Sequence, residues 1–184
     1  MPPVEEWVEQ EFLRRSSHAL LADDGAWLVD PVDNGRVDEL RNVAGVIQLL
    51  DRHHRDCAVI AARLAVPHHV VPVGPVGPFE FLPVRQTRRW HEVALWWPQE
   101  RVLVCGDALG TVGYFRLAGE RLGVHPLLRL RPPQLDVNPD VVLCGHGPGV
   151  FDEANAAFEE ALTTARQPIP RQLLGIVRRR RPQP

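Results

Sequence analysis

The chain has 184 residues, a formal net charge of −2, 45% hydrophobic and 24% charged residues, which suits one globular domain of ordinary size. That balance gives no global pull toward nucleic acid or an anionic membrane surface. No apolar run approaches the ~18 residues that a membrane-spanning helix needs.

The opening MPPVEEW is acidic and has no apolar signal region, and Cys57, Cys105 and Cys144 are an odd number without framework spacing. Both features point to a reducing cytoplasm. His18–Leu21 and Ala26–Val29 read as strands around the turn Asp23-Asp24-Gly25. Val37–Val43 reads as a short helix. Val46–Leu50 is an apolar strand that delivers the polar cluster Asp51-Arg52-His53-His54-Arg55-Asp56 to its end. Cys57–Leu64 has helix-forming composition, with Asp56 placed as its N-cap. Val70–Val73 reads as a strand and Gly74–Pro83 as a loop. Glu92–Trp97 and Arg101–Cys105 form a hairpin across Pro98-Gln99-Glu100. Val141–Cys144 is a short buried strand, and Phe151–Arg166 is a helix whose Phe151, Ala154, Phe158, Ala161 and Leu162 share one face. Residues 1–166 thus form a single domain, and 167–184 a Pro/Arg-rich tail. Arg178–Arg181 is too short, and too poor in interleaved aromatics, for a nucleic-acid site.

Three strand-end loops carry the residues able to do chemistry: Arg52–Cys57, Gly106-Asp107-Ala108-Leu109 and Gly145-His146-Gly147. Imidazole, thiolate and carboxylate groups at the ends of neighbouring strands can converge on one divalent metal, which binds such ligands at ~2.0–2.3 Å. Taken in order, these loops resemble the metallo-β-lactamase superfamily. The segment His91–Pro98 running through Arg101–Leu109 is similar to that family's central hairpin, Asp136–Gly147 to its last ligand strand, and Leu28-Val29-Asp30 to its opening.

The resemblance implies an α/β fold, a four-layer αβ/βα sandwich in compact form, and a degenerate ligand set. The family's first two histidines fall on Arg52 and His54, its aspartate on Asp56 and its third histidine on Cys57. Its next histidine falls near Arg88, with His91 three residues away. Its bridging aspartate falls on Asp107 and its final histidine on His146. One metal position keeps only His54, unless His53 or His91 substitutes. The other would hold one zinc ion on Asp56, Cys57, Asp107 and His146.

The expected function is therefore a hydrolase-like protein with an at most mononuclear site, cleaving a small-molecule ester, thioester or amide. Asp107 or His54 would take the water's proton. The alternative is a metal-free, non-catalytic module in which Arg52 and Arg88 replace the metal's charge and bind a small anion. His125, in the long insertion after Asp107, is a candidate pocket residue. A Cys57 nucleophile activated by His54 is a further reading. The expected partner is a small molecule, with neither nucleic acid nor membrane.

Overall fold

The computed structural model describes residues 2–53 and 55–166. Strands β1 (Val4–Val8), β2 (Ser16–Ala22), β3 (Gly25–Val29), β4 (Val43–Gln48) and β5 (His68–Val70) form one sheet in that order, antiparallel from β1 to β3 and parallel from β3 to β5. Strands β6 (Glu80–Thr87), β7 (Trp90–Trp97), β8 (Val102–Cys105) and β11 (Val141–Cys144) form the second, in the order β11-β8-β7-β6. The β8–β11 pair is parallel. Two-residue strands β9 (Leu109–Gly110) and β10 (Gly123–Val124) pair across the insertion.

Alternation along the strands explains the layering, because successive side chains leave a strand on opposite faces. Trp27, Val29, Ile47, Val93, Leu95, Trp97 and Val104 fill the space between the two sheets. Leu28 and Val46, out of phase with them, meet helix α1 (Cys57–Leu64) through Ile60 and Ala61 on the outer face of the first sheet. Ala94, Leu103 and Cys105 meet helix α2 (Ala154–Thr164) through Ala157, Phe158 and Ala161 on the outer face of the second. The molecule is a four-layer αβ/βα sandwich.

Several expected elements change. Val37–Val43 is a 3-10 turn over Arg36–Glu39, after which Val43 opens β4. The strand expected at Val70–Val73 sits earlier, at His68–Val70, where it can pair in parallel with β4. The second helix begins at Ala154 rather than Phe151, which is exposed. β1 and β6 carry no clean apolar alternation, since both lie at sheet edges where one rim faces solvent; Pro83 stands inside β6 beside a register shift. The tail 167–184 lies outside the described residues. No helix among the described residues is long and apolar enough to cross a membrane.

Candidate metal centre

The three strand-end loops meet at one rim of the sandwich. Parallel pairing of β8 with β11 sets Cys105 opposite Cys144, so the Gly106-Asp107 and Gly145-His146 turns leave the sheet side by side. They pack so closely that a Cβ on Gly145 would lie 2.4 Å from the Gly106 carbonyl oxygen, which only glycine permits. The loop after β4 brings in His53. Nε2 of His53 lies 2.8 Å and Nε2 of His146 lies 3.1 Å from the same oxygen, Oδ1 of Asp107.

The opposite nitrogen of each ring is also placed against oxygen. His146 Nδ1 is 2.9 Å from the Leu13 carbonyl, and His53 Nδ1 is 3.7 Å from Oδ2 of Asp30. Asp30 is fully buried at the end of β3, in a left-handed backbone conformation with φ 46°, and its Oδ1 accepts the Leu49 N–H at 3.1 Å. Such strained residues persist where surrounding structure holds them.

A second buried carboxylate fixes Asp107 from behind. Glu92, on β7, accepts the backbone N–H groups of Asp107 and Ala108, each at 2.9 Å, and the indole N–H of Trp90 at 2.6 Å. Burial pushes its pKa up to about 7, against the pull of the Trp90 hydrogen bond. Below the loops, Arg55 binds them together. Its Nη1 donates to the carbonyls of Ser16 and Asp30 (2.9 Å to the latter), and its Nη2 donates to the Gly145 carbonyl at 2.7 Å.

The electrostatics follow from these contacts. Burial alone would depress the His53 pKa, but hydrogen bonding to Asp107 and the Asp30 carboxylate outweigh it and raise it to about 9. Burial would raise Asp107, but His146 and His53 hold it far below the usual carboxylate range. In chelator-treated protein, His53 therefore stabilises the fold fully below its unfolded pKa near 6.5. That stability is lost as pH rises through about 9. The Glu92 window lies lower, between 4.5 and about 7. Urea melts between pH 7 and 9.5 are expected to show a decline on the order of 2 kcal/mol, and a flat profile over that range would exclude a charged His53.

The expected ligand set is rearranged. His53 joins Asp107 and His146; among the described residues these three offer one ligand atom each, all within 4.8 Å of one another. His54 lies outside the described residues. Asp56 turns away: its Oδ2 accepts the Asp33 N–H at 2.8 Å, and it makes no side-chain cap on α1 although it occupies the N-cap position. Cys57, in the first turn of α1, is buried between helix and sheet with Trp7, Leu28 and Ile60, and burial pushes its thiol well up. It is neither placed as a ligand nor poised as a nucleophile.

Arg52 stands over the site, its guanidinium 4.2 Å from the Trp90 ring centre and 3.7 Å from Asp107 Oδ2, but its side chain is 44% exposed. Arg88 and His91 are exposed in and after the β6–β7 turn and make no ion pair among the described residues, so the paired-arginine substitute for metal is not assembled. His125 is buried against the rings of Trp90, Tyr114 and Phe115. Glu92, Arg55 and the Leu13 carbonyl were not anticipated. Glu92 alone left a signal, since it shares the buried face of β7 with Trp90 and Ala94.

Compared by sequence, the chain matches no protein-family model and no curated protein. Compared by fold, it is similar to the BLEG-1 B3 metallo-beta-lactamase, with a TM-score of 0.56 and 16% identity over 87% of this chain and 99% of that one. It is also similar to a metallo beta lactamase from Erythrobacter litoralis, with a TM-score of 0.55 and 11% identity over 90% and 89% of the two chains. A diflavin flavoprotein fragment from Nostoc gives a TM-score of 0.53 and 14% identity over 90% and 94%. Together with the four layers and the convergence of the strand-end loops at one rim, these likenesses show that the chain has the metallo-β-lactamase fold.

Proposed function

We propose that the chain is a hydrolase-like protein with a mononuclear zinc site on His53, Asp107 and His146, acting on the ester, thioester or amide bond of a small molecule. One observation carries this reading. Two imidazole Nε2 atoms converge on one carboxylate oxygen, while each ring's other nitrogen is turned to a carbonyl or carboxylate. Metal-ligating histidines are oriented in this way, and two imidazoles with a carboxylate suit zinc. When bound, the metal would lower the pKa of a water and polarise a carbonyl.

The residues divide the remaining work. The Leu13 carbonyl holds the His146 ring, the Asp30 carboxylate faces Nδ1 of His53 at 3.7 Å, and Glu92 holds the Asp107 turn. Asp107, kept ionised, is a weak base; its Oδ2 orients a water rather than storing its proton. Arg52, beside that oxygen, offers positive charge at the mouth of the site.

The metal-free reading keeps one observation in its favour: His53 and Arg52 already balance the Asp107 charge. Elemental analysis of protein purified without chelator or nickel separates the two. About one equivalent of zinc is expected. Absence of zinc together with failure to take it up would favour the anion-binding module, and two equivalents would refute a mononuclear site.

A further inference from the structure

Beside Asp107 and His146 opens a cavity of about 310 Å³, walled by Phe12, Leu13, Tyr114, Phe115 and His125. That is about ten water volumes at ~30 Å³ each, the small end of the range for ligand pockets. Its walls are apolar and aromatic, and among the described residues the only carboxylate lining it is that of Asp107. Among the described residues no arginine lines it, and since His53 and Arg52 already balance the Asp107 charge, an anionic group would enter apolar walls without a free cation to meet it.

His125 is the polar group whose role the site above leaves open. It is 7% exposed, and its ring packs edge-on against Trp90 at 4.8 Å and against Tyr114 and Phe115, each at 5.5 Å between centroids. The backbone places it firmly: its N–H donates to the Ala108 carbonyl at 2.9 Å, one residue past Asp107. The Leu127 N–H donates to its Nδ1 at 3.2 Å. A nitrogen that accepts a hydrogen bond carries no proton, so in the neutral ring the proton sits on Nε2. Nε2 has no hydrogen-bond partner among the described residues, and the residue lines the cavity.

We infer that His125 is a neutral hydrogen-bond donor, through Nε2–H, for the carbonyl oxygen of an uncharged, ring-sized substrate held between Phe12, Tyr114 and Phe115. The inference rests on the function proposed above for the purpose of the pocket, but not for its chemistry. Burial supports it, since it depresses the His125 pKa to about 4 and keeps the ring uncharged at neutral pH. A fixed neutral donor stabilises both a carbonyl oxygen and the negative charge that grows on it, without repelling the cationic groups around a metal.

The test uses chelator-treated protein, so that failure to bind zinc and failure of this inference remain distinct. Long-range proton–nitrogen correlation spectra at neutral pH should show His125 with a bare Nδ1 and a protonated Nε2. Titration with benzamide, which is uncharged and carries a carbonyl, should give saturable binding that moves the His125 resonances. Benzoate should bind at least about tenfold more weakly. His125→Phe keeps the ring packing without the donor and should weaken benzamide about tenfold, the effect of losing one buried hydrogen bond. His125→Gln keeps a donor and should retain binding within about threefold. Both variants are checked by circular dichroism and urea melts; if the Phe variant does not fold, the Gln variant and the tautomer assignment decide. A proton on Nδ1, tighter binding of benzoate than of benzamide, or equal benzamide binding by wild type and His125→Phe would each overturn the inference.

Discussion

Arg55→Ala is expected to destabilise the protein by about 3–5 kcal/mol in a urea melt, the largest single-residue effect on stability at this rim. The guanidinium donates to the backbone carbonyls of Ser16, Asp30 and Gly145, which belong to β2, the end of β3 and the turn after β11. It therefore joins the two sheets where their loops meet. Hydrogen bonds from a charged donor contribute ~1.5–3 kcal/mol each, and buried acceptors left unpaired add their own cost. Alanine would also remove a cation that, beside His53, lowers the pKa of the buried Asp30 carboxylate. The midpoint should fall with the m-value unchanged. Arg55→Lys should recover only part of the loss, because a compact ammonium cannot reproduce the fork that reaches three carbonyls. A change within ~0.5 kcal/mol, the scale of an ordinary surface substitution, would mean that the loops are held by other contacts. Arg52, exposed and 3.7 Å from its carboxylate, provides the contrast: surface pairs of this kind contribute little.

Asp107→Asn should weaken zinc binding by at least about 100-fold, exceeding the ~10–100-fold that losing an outer partner of a ligand costs. Oδ1 of Asp107 is the one atom shared by both imidazoles. Asparagine offers a neutral oxygen, and its amide nitrogen is a donor where acceptance is required. The same variant carries a second signature in metal-free protein. With its hydrogen-bonded carboxylate partner gone, His53 loses the largest single contribution that raises its pKa while the Asp30 contribution remains, and the stability decline between pH 6.5 and about 9 should become shallower. Competition with a chromophoric chelator reads the first effect, and urea melts across pH read the second. Unchanged zinc affinity would remove Asp107 from the ligand set. An unchanged pH profile would show that Asp30 alone sustains the charge on His53.

The sequence made the layer order and two of the three loops legible, and the third loop only in outline. The turns bearing Asp107 and His146 are read correctly because each follows a short apolar strand and is bounded by glycine. Helix α1 begins and ends where composition places it. The loop at 52–57 is different. Motif spacing assigns its ligands by counting along the chain, whereas the side chain that reaches the site depends on where the helix starts. Because α1 begins at Cys57, that residue faces the sheet and Asp56 faces the 31–33 turn, which leaves His53 in the site. The partners of the rings escape sequence reading for another reason. A backbone carbonyl such as that of Leu13 has no residue-type signature, and an arginine aimed at carbonyls looks in sequence like any charged loop residue. Glu92 stood a better chance, since a carboxylate in phase with Trp90 and Ala94 on a buried strand face requires donors.

The proline inside β6 matters for how molecules of this chain meet one another. β6 is the outer strand of its sheet, and an outer strand ordinarily presents a row of free N–H and C=O groups that a strand from another copy can extend. Pro83 contributes no N–H to such a row, and the adjacent register shift between Pro83 and Arg85 bends the backbone out of line. Arg85 adds charge at the same place. This rim is thereby a poor template for edge-to-edge growth into fibrils.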